Sequence, residues 1–135
     1  QMLASPVIAP EGHIYVGVSR APRGQKPSGR LVSIDGNSHK VRWEYAAEGP
    51  VESTPVIGDD GLIYFGDNAG AIHAVDASGG VKWKAKVEAA VRSAGAILRP
   101  RRLAFGLDNG TLVVLECTSG GLAATGWPRL GGKRP

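Results

Sequence analysis

The amino-acid sequence repeats itself with a period of about 40 residues. The clearest copy of the repeated pattern occupies residues 53–57, 61–66 and 70–76, and related segments precede and follow it. Trp43 and Trp83 are 40 residues apart, and so are Gly66 and Gly106. Self-similarity at such a period is typical of repeat architectures, in which each unit is one supersecondary element. The chain of 135 residues therefore holds about three units.

Each unit contains four short apolar runs that are separated by Gly, Asp, Asn or Ser. Runs of this length are typical of strands, and the Asp-, Asn- and Gly-rich turns favour tight hairpins. The runs 62–65 and 71–75 do not alternate apolar with polar residues, which indicates strands covered on both faces. The sequence predicts an all-β fold of β-propeller blades, each a four-stranded antiparallel meander. A β-sandwich is the alternative, although it requires no fixed period.

The predicted organisation is a single propeller segment over residues 1–135. Its blade units lie at approximately 1–52, 53–91 and 92–128, followed by a basic tail at 129–135. In the first unit, the polar insertion 18–29 with two prolines predicts an enlarged loop. Closed propellers have four to eight blades, so three blades give an incomplete ring. Either the chain is a fragment of a longer protein, or two copies form a six-bladed ring as a homodimer.

Composition and charge exclude several other classes of protein. The 20 Gly and 9 Pro residues disfavour a helical bundle, and no apolar run is long enough to predict a membrane span. A single cysteine, Cys117, excludes an internal disulfide framework. The net charge is +4, and no aromatic side chain is interleaved with the basic clusters, so we expect no nucleic-acid partner. Those clusters are Arg99, Arg101 and Arg102, and Arg129, Lys133 and Arg134.

The repeat resembles that of the pyrroloquinoline-quinone-like (PQQ-like) family of bacterial β-propellers. The family pattern is similar to S-S-P-V-I, D-G-x-I-Y-V-G, D-G-x-L-Y-A-I-D and then G-x-x-K-W-K. Residues 53–91 match it closely, residues 5–52 match with the insertion, and residues 92–116 match with erosion. The Gly-Trp-Pro segment at 126–128 also resembles the ends of such chains. That likeness implies that residue 135 lies at or near a natural C-terminus.

The resemblance implies a function without catalysis. Quinoprotein alcohol dehydrogenases of this family bind PQQ and calcium, whereas the BamB-type outer-membrane assembly lipoprotein is a scaffold without a cofactor. The dehydrogenase motif A-x-D-x-x-x-G-K-x-x-W separates Asp from Trp by eight residues, but Asp76 and Trp83 are seven apart. We therefore expect a binding or scaffold module with no cofactor, joined to a protein partner or to further blades. A small-ligand sensor and a C-terminal fragment of a PQQ-dependent dehydrogenase are the alternatives. The family is mostly extracytoplasmic, which makes the periplasm the default compartment.

Five residues form the candidate binding site. In a propeller the first strand of each blade lines the central channel, so polar residues that lead into these strands are expected at the channel mouth. The residues are Glu52, Ser53, Thr54, Arg92 and Ser93. Ser53 and Ser93 are also expected to hydrogen-bond the backbone.

Other conspicuous residues are interpreted as structural because they recur once per repeat. Trp43 and Trp83 could be binding walls, but we expect wedges between blades. Asp35 and Asp76 could be acid/base groups or calcium ligands, but we expect caps of turns. The histidines show no ligand spacing, so the sequence predicts no metal site and no catalytic residue; they are His13, His39 and His73.

Overall fold

The computed structural model describes residues 2–98 and 101–117 of the chain, and these ranges contain strands and turns but no helix. Three groups of antiparallel strands follow one another along the sequence. The strands are β1 (Met2–Leu3), β2 (Val7–Ile8), β3 (Ile14–Arg20), β4 (Ser28–Ile34), β5 (Val41–Ala46), β6 (Val56–Ile57), β7 (Ile63–Gly66), β8 (Ala71–Val75), β9 (Val81–Lys86), β10 (Ala96–Leu98), β11 (Arg102–Gly106) and β12 (Leu112–Glu116).

The second and third sheets are meanders in which each strand pairs with its neighbours in sequence. The second sheet has the order β6-β7-β8-β9, and the third shows β10-β11-β12. In the first sheet β2 and β1 both pair with β3, ahead of β4 and β5, so its innermost strand is split into two pieces. The predicted all-β fold of propeller blades in an incomplete ring is confirmed. The end of the third unit and the predicted tail 129–135 lie outside the described residues.

The insertion in the first blade is folded differently from a simple loop. The strands β3 and β4 extend into it, because Ser19 pairs with Gly29 and Arg20 with Ser28. Only residues 21–27 connect the two strands. Pairing of this kind satisfies backbone N–H and C=O groups that a loop would leave to solvent. The predicted loop 18–29 is therefore a long hairpin with a shorter connection.

Two hydrophobic clusters pack the sheets face to face. The strands β7 and β8 of the middle blade are buried along their whole length, as their lack of apolar–polar alternation predicts. The first cluster joins the first and second blades and contains Val7, Ala9, Tyr15, Leu31, Val51, Ile57, Ile63, Phe65 and Val75. The second joins the second and third blades and contains Val56, Tyr64, Ile72, Ala74, Val91, Leu103, Phe105, Leu107 and Cys117.

The connectors between successive blades are residues 47–55 and 87–95. Each connector passes against a glycine in the second strand of the blade that it leaves. A Cβ atom at Gly17 would lie 2.6 Å from Cγ1 of Val51, and one at Gly66 would lie 2.2 Å from Cγ1 of Val91. Real Cβ atoms do not approach other atoms so closely, so a side chain at either glycine would displace the connector. The recurring glycine therefore allows close packing of successive blades.

The outward faces of the first and third blades are also apolar. In β12, Val113 and Leu115 pack toward the second blade, so Leu112 and Val114 point away from it. These two side chains are 65% and 47% exposed. On the first blade, Val16, Val18 and Val32 form a separate cluster on the face opposite Tyr15. Blades of a closed ring cover such faces with the next blade.

Candidate functional site

The predicted channel-mouth residues lie on two connectors at one end of the blades. The connector into the second blade accepts a hydrogen bond at Pro50 O from Asn68 N, at 2.9 Å. The connector into the third blade accepts one at Ala90 O from Asp108 N, at 3.0 Å. Both donors belong to the turn between the second and third strands of a blade. These turns and connectors together form the end of the segment that we call the channel-mouth end.

Glu52 and Arg92 are brought together in one polar network. Arg92 Nη1 lies 2.9 Å from Asp108 Oδ2, and its Nε lies 3.5 Å from Glu52 Oε2. Glu52 in turn accepts a hydrogen bond from the side-chain amide of Asn68. The Arg92 side chain remains 55% exposed, so the network lies at the surface. Its charged groups are held in place by one another and face solvent, which suits recognition of a partner.

Two of the other predicted residues, Ser53 and Ser93, hydrogen-bond the backbone. The Ser53 hydroxyl donates to Ser93 O at 2.7 Å, and the Ser93 hydroxyl donates to Gly106 O at 3.1 Å. Ser53 and Thr54 are buried, whereas Ser93 is exposed. The Ser53 hydroxyl thus fixes one connector against the next, and the Ser93 hydroxyl fixes its connector to the end of β11. Glu52 and Arg92 are the charged groups of the predicted set.

A cavity of about 240 Å³ opens beside these residues, between the first and second blades. Glu52 and Thr54 contribute to its wall, and Ser19 closes its side by donating to Val51 O at 3.3 Å. The full lining is Leu3, Ala4, Ser5, Ser19, Val51, Glu52 and Thr54. A carboxylate, hydroxyls and short apolar side chains give this cavity room for one small polar side chain or a few waters.

The two tryptophans expected to act as wedges lie beside neighbouring turns and rings. The Trp43 indole N–H donates to Ala77 O of the second blade at 2.9 Å, and its ring lies against Gly79. Its ring centroid is 5.7 Å from that of Tyr15. Trp83 packs beside Tyr64 at 6.0 Å and borders the second cluster. Both rings thus lie where one blade meets another.

The two aspartates expected to cap turns accept backbone hydrogen bonds. Asp35 Oδ1 accepts from Ser38 N and Asn37 N, and these bonds hold the pKa of the Asp35 carboxyl below its usual value. Asp76 Oδ1 accepts from the Ser78 hydroxyl and from the backbone N–H groups of Ser78 and Gly80, which also lowers its pKa. A carboxylate that accepts several N–H bonds favours its charged form.

A buried polar group that the sequence interpretation missed links the first two blades. His73 and Asp67 are both 0% exposed, and His73 Nε2 lies 2.7 Å from Asp67 Oδ2. On its other side, His73 Nδ1 lies 2.8 Å from the Tyr45 hydroxyl of the first blade, whose pKa is raised by burial. A neutral imidazole that donates to Asp67 and accepts from Tyr45 satisfies all three groups. The ring of Phe65 stacks on that of His73 at 4.9 Å.

Asp67 also accepts three backbone hydrogen bonds. They come from Glu48 N at 2.9 Å, Ala69 N at 3.0 Å and Ala71 N at 3.1 Å. This carboxylate therefore fixes both the turn of its own blade and the connector from the first blade. The pattern could have been found by aligning the repeats, because both polar positions are apolar in the other units. Val18 and Leu107 replace Asp67, and Val32 and Val113 replace His73.

Neither a metal centre nor a membrane helix is found in the part of the chain that the structure describes. Within residues 2–98 and 101–117, no three His, Cys, Asp or Glu side chains are close enough to hold a metal ion together. His13 Nδ1 lies 3.3 Å from Glu11, His39 is exposed, and Cys117 is buried in the second cluster. In the same ranges, no helix has the length and hydropathy needed to cross a bilayer.

The stacked meanders, the glycine crossings and the polar channel-mouth end define a segment of a β-propeller built from PQQ-like repeats. The family model described as "Outer membrane protein assembly factor BamB" matches residues 2–126. The chain belongs to this family. A comparison with curated proteins gives no match.

Solved structures from both branches of the PQQ-like family share the fold. BamB from Moraxella catarrhalis matches with a TM-score of 0.62 and 18% identity, over 92% of this chain and 34% of its own. A europium-containing methanol dehydrogenase matches with a TM-score of 0.60 and 20% identity, over 92% of this chain and 25% of its own. The chain thus spans between a quarter and about a third of the structures it resembles.

Proposed function

We propose that this chain is a non-enzymatic binding module that mediates protein–protein interaction through its channel-mouth end. The observation that carries the proposal is the surface network centred on Arg92. Its charged groups are ordered by mutual contacts, and an ordered, exposed arginine is a favourable anchor for a protein partner. The match to the family described as an outer membrane assembly factor supports the same role.

Site-specific photo-crosslinking in the cells that make the protein tests this proposal. A crosslinking amino acid at Asn109 lies in a turn of the channel-mouth end, and one at Asp59 lies in the β6–β7 turn at the opposite end. We expect discrete protein adducts from position 109 and none from position 59. Adducts of equal yield from both positions, or none from either, would contradict a binding site at the channel-mouth end.

The second candidate is a piece of a PQQ-dependent dehydrogenase, and the match to a methanol dehydrogenase favours it. In that case the quinone and its calcium ion would be held with the help of further blades. Titration of PQQ and calcium into the full-length protein that contains this segment, followed by the absorbance of the quinone, separates the two candidates. Saturable binding would favour the dehydrogenase, and its absence would favour the binding module.

The apolar outer faces lead to a proposal about partners. We infer that the exposed Leu112 and Val114 pack against a further blade, from a longer chain or from a second copy. Each interface inside the segment already joins two blades through such residues. Completion of the ring is therefore part of the proposed scaffold.

A further inference from the structure

We propose that the long hairpin of the first blade, residues 18–29, binds an acidic segment of a partner protein. We call residues 18–29 the basic hairpin. The proposal rests on the proposed protein-binding function and adds a second contact point for the same partner. Insertions in a single repeat unit are frequently located on the binding face of repeat proteins.

The basic hairpin projects from the channel-mouth end. In the second blade the ladder between β7 and β8 ends at the pair Gly66–Ile72, and the equivalent pair in the first blade is Gly17–Leu31. Beyond it, β3 and β4 form three more pairs, which extend the hairpin by about 10 Å. Residues 20–28 are all exposed. The hairpin therefore stands out from the end at which Glu52 and Arg92 lie.

The charge of the hairpin is of one sign. Arg20, Arg23 and Lys26 lie within seven residues, and the sequence contains no Asp or Glu from residue 12 to residue 34. The ion pairs among residues 2–98 and 101–117 include none of these three cations, whereas the nearby Arg30 is paired with Glu44. Three cations on one projection create a local positive potential that attracts carboxylates.

The hairpin is also held in a limited range of conformations. The buried Ser19 anchors its base to Val51 O, and Gly29 fits against the connector at Gly49. At its tip, Gln25 N donates to Pro22 O at 3.1 Å, and Gly24 supplies the positive φ of 77° that this turn requires. Less conformational entropy is lost when such a preorganised segment binds.

The residues of the hairpin favour a protein over other polyanions. Between residues 18 and 29 there is no aromatic side chain on which a nucleic-acid base could stack. The exposed tip has no large apolar side chain to enter a bilayer, and three cations alone bind anionic lipid weakly. Carboxylates on a protein segment can pair individually with spaced arginine and lysine side chains.

Fluorescence anisotropy with a labelled decapeptide of alternating Glu and Ser tests the proposal on the full chain. The variant R20Q/R23Q/K26Q removes the three cations, and the matched control K40Q/K82Q/K86Q removes three exposed cations elsewhere. We expect the hairpin variant to weaken binding about tenfold and the control to change it less than twofold. Thermal unfolding of both variants checks that each is folded.

Three results would overturn the inference. Equal weakening by the two variants would show attraction to net charge alone, and no binding by the unmodified chain would exclude the acidic segment. A larger hairpin effect on phosphatidylglycerol vesicles or on a single-stranded oligonucleotide would assign a different partner class. In each case the crosslinking yield from Asn109 still decides the proposed protein-binding function separately.

Discussion

At the scale of single residues, the pair of Asp67 and His73 is the group on which the first interface depends most. Both side chains are completely buried, and together they link the middle blade to Tyr45 and to the connector of the first blade. A buried charge or polar group that loses its partner is costly, whereas removal of both partners is less so. The other two blades have apolar residues at both positions, which provides natural replacements for both.

A double-mutant cycle tests this coupling. We expect His73→Val alone to lower the free energy of unfolding by about 3 kcal/mol, because it leaves Asp67 and Tyr45 without their shared partner. In the background of Asp67→Leu, the same change should cost less than about 1 kcal/mol. Urea unfolding of the four proteins measures the cycle. Additive costs would show that the two side chains act independently.

Glu48 gives the protein an acid-sensitive contact. The ammonium groups of Lys84 and Lys86, 2.8 Å and 3.3 Å from its carboxyl oxygens, lower the pKa of Glu48 from 4.5 to about 2. A carboxyl whose pKa is lower in the folded protein stabilises it above the unfolded pKa. Its contribution is therefore complete above about pH 4.5 and is lost as the pH falls toward 2.

We expect Glu48→Gln to be less stable than the unmodified chain at pH 6. The difference in stability between the two proteins should shrink as the pH is lowered to 2. Urea midpoints at several pH values measure the difference. Glu88→Gln is the matched control, because Glu88 occupies the position in the second repeat that Glu48 occupies in the first. Within residues 2–98 and 101–117, Glu88 forms no ion pair. A difference that stays constant with pH would show that Glu48 acts through packing and not through its charge.

At the scale of strands and turns, the sequence predicted most of the fold. Burial on both faces explains the apolar runs of β7 and β8, and turn geometry explains the residues of the Asp-Asn-Gly turns. Both features can therefore be recognised in the local sequence. The long hairpin was not predicted, because Ser19, Gly29 and Ser28 carry no apolar alternation and pair only through their backbones. The contact of Tyr45 with His73 was missed for another reason, since it joins two blades and has no local pattern.

The recurring glycine at the end of the second strand gives a prediction with an internal control. Gly66→Ala would place a Cβ 2.2 Å from Cγ1 of Val91, whereas at Gly106 the nearest atom within residues 2–98 and 101–117 is the Ser93 hydroxyl oxygen at 3.6 Å. We expect Gly66→Ala to cost about 1–3 kcal/mol in unfolding free energy and Gly106→Ala to change it by less than about 0.5 kcal/mol. Thermal or urea unfolding measures both. Equal costs would show that close packing of the connector is not the reason for glycine.

At the scale of the whole molecule, the segment has two filled interfaces and an exposed apolar face on its third blade. Leu112 and Val114 on the third blade, and the valine cluster on the first, occupy the positions that internal interfaces use. Apolar faces of this kind favour association, and a sheet face accepts another blade more readily than it accepts solvent. A blade packed on Leu112 and Val114 would therefore remove both apolar side chains from water.

We expect the isolated chain to self-associate through its third blade, because the apolar side chains of Leu112 and Val114 are largely exposed to water. Leu112→Lys with Val114→Lys should return the chain to its single mass of 14.0 kDa in light scattering on a sizing column. The control Ser38→Lys with Val81→Lys adds the same charge to a turn and an outer strand and should leave association unchanged. A discrete species of twice the single mass would indicate two copies in a six-bladed ring, and a broad distribution would indicate faces made for the blades of a longer chain. A monomer before any substitution would contradict self-association through Leu112 and Val114.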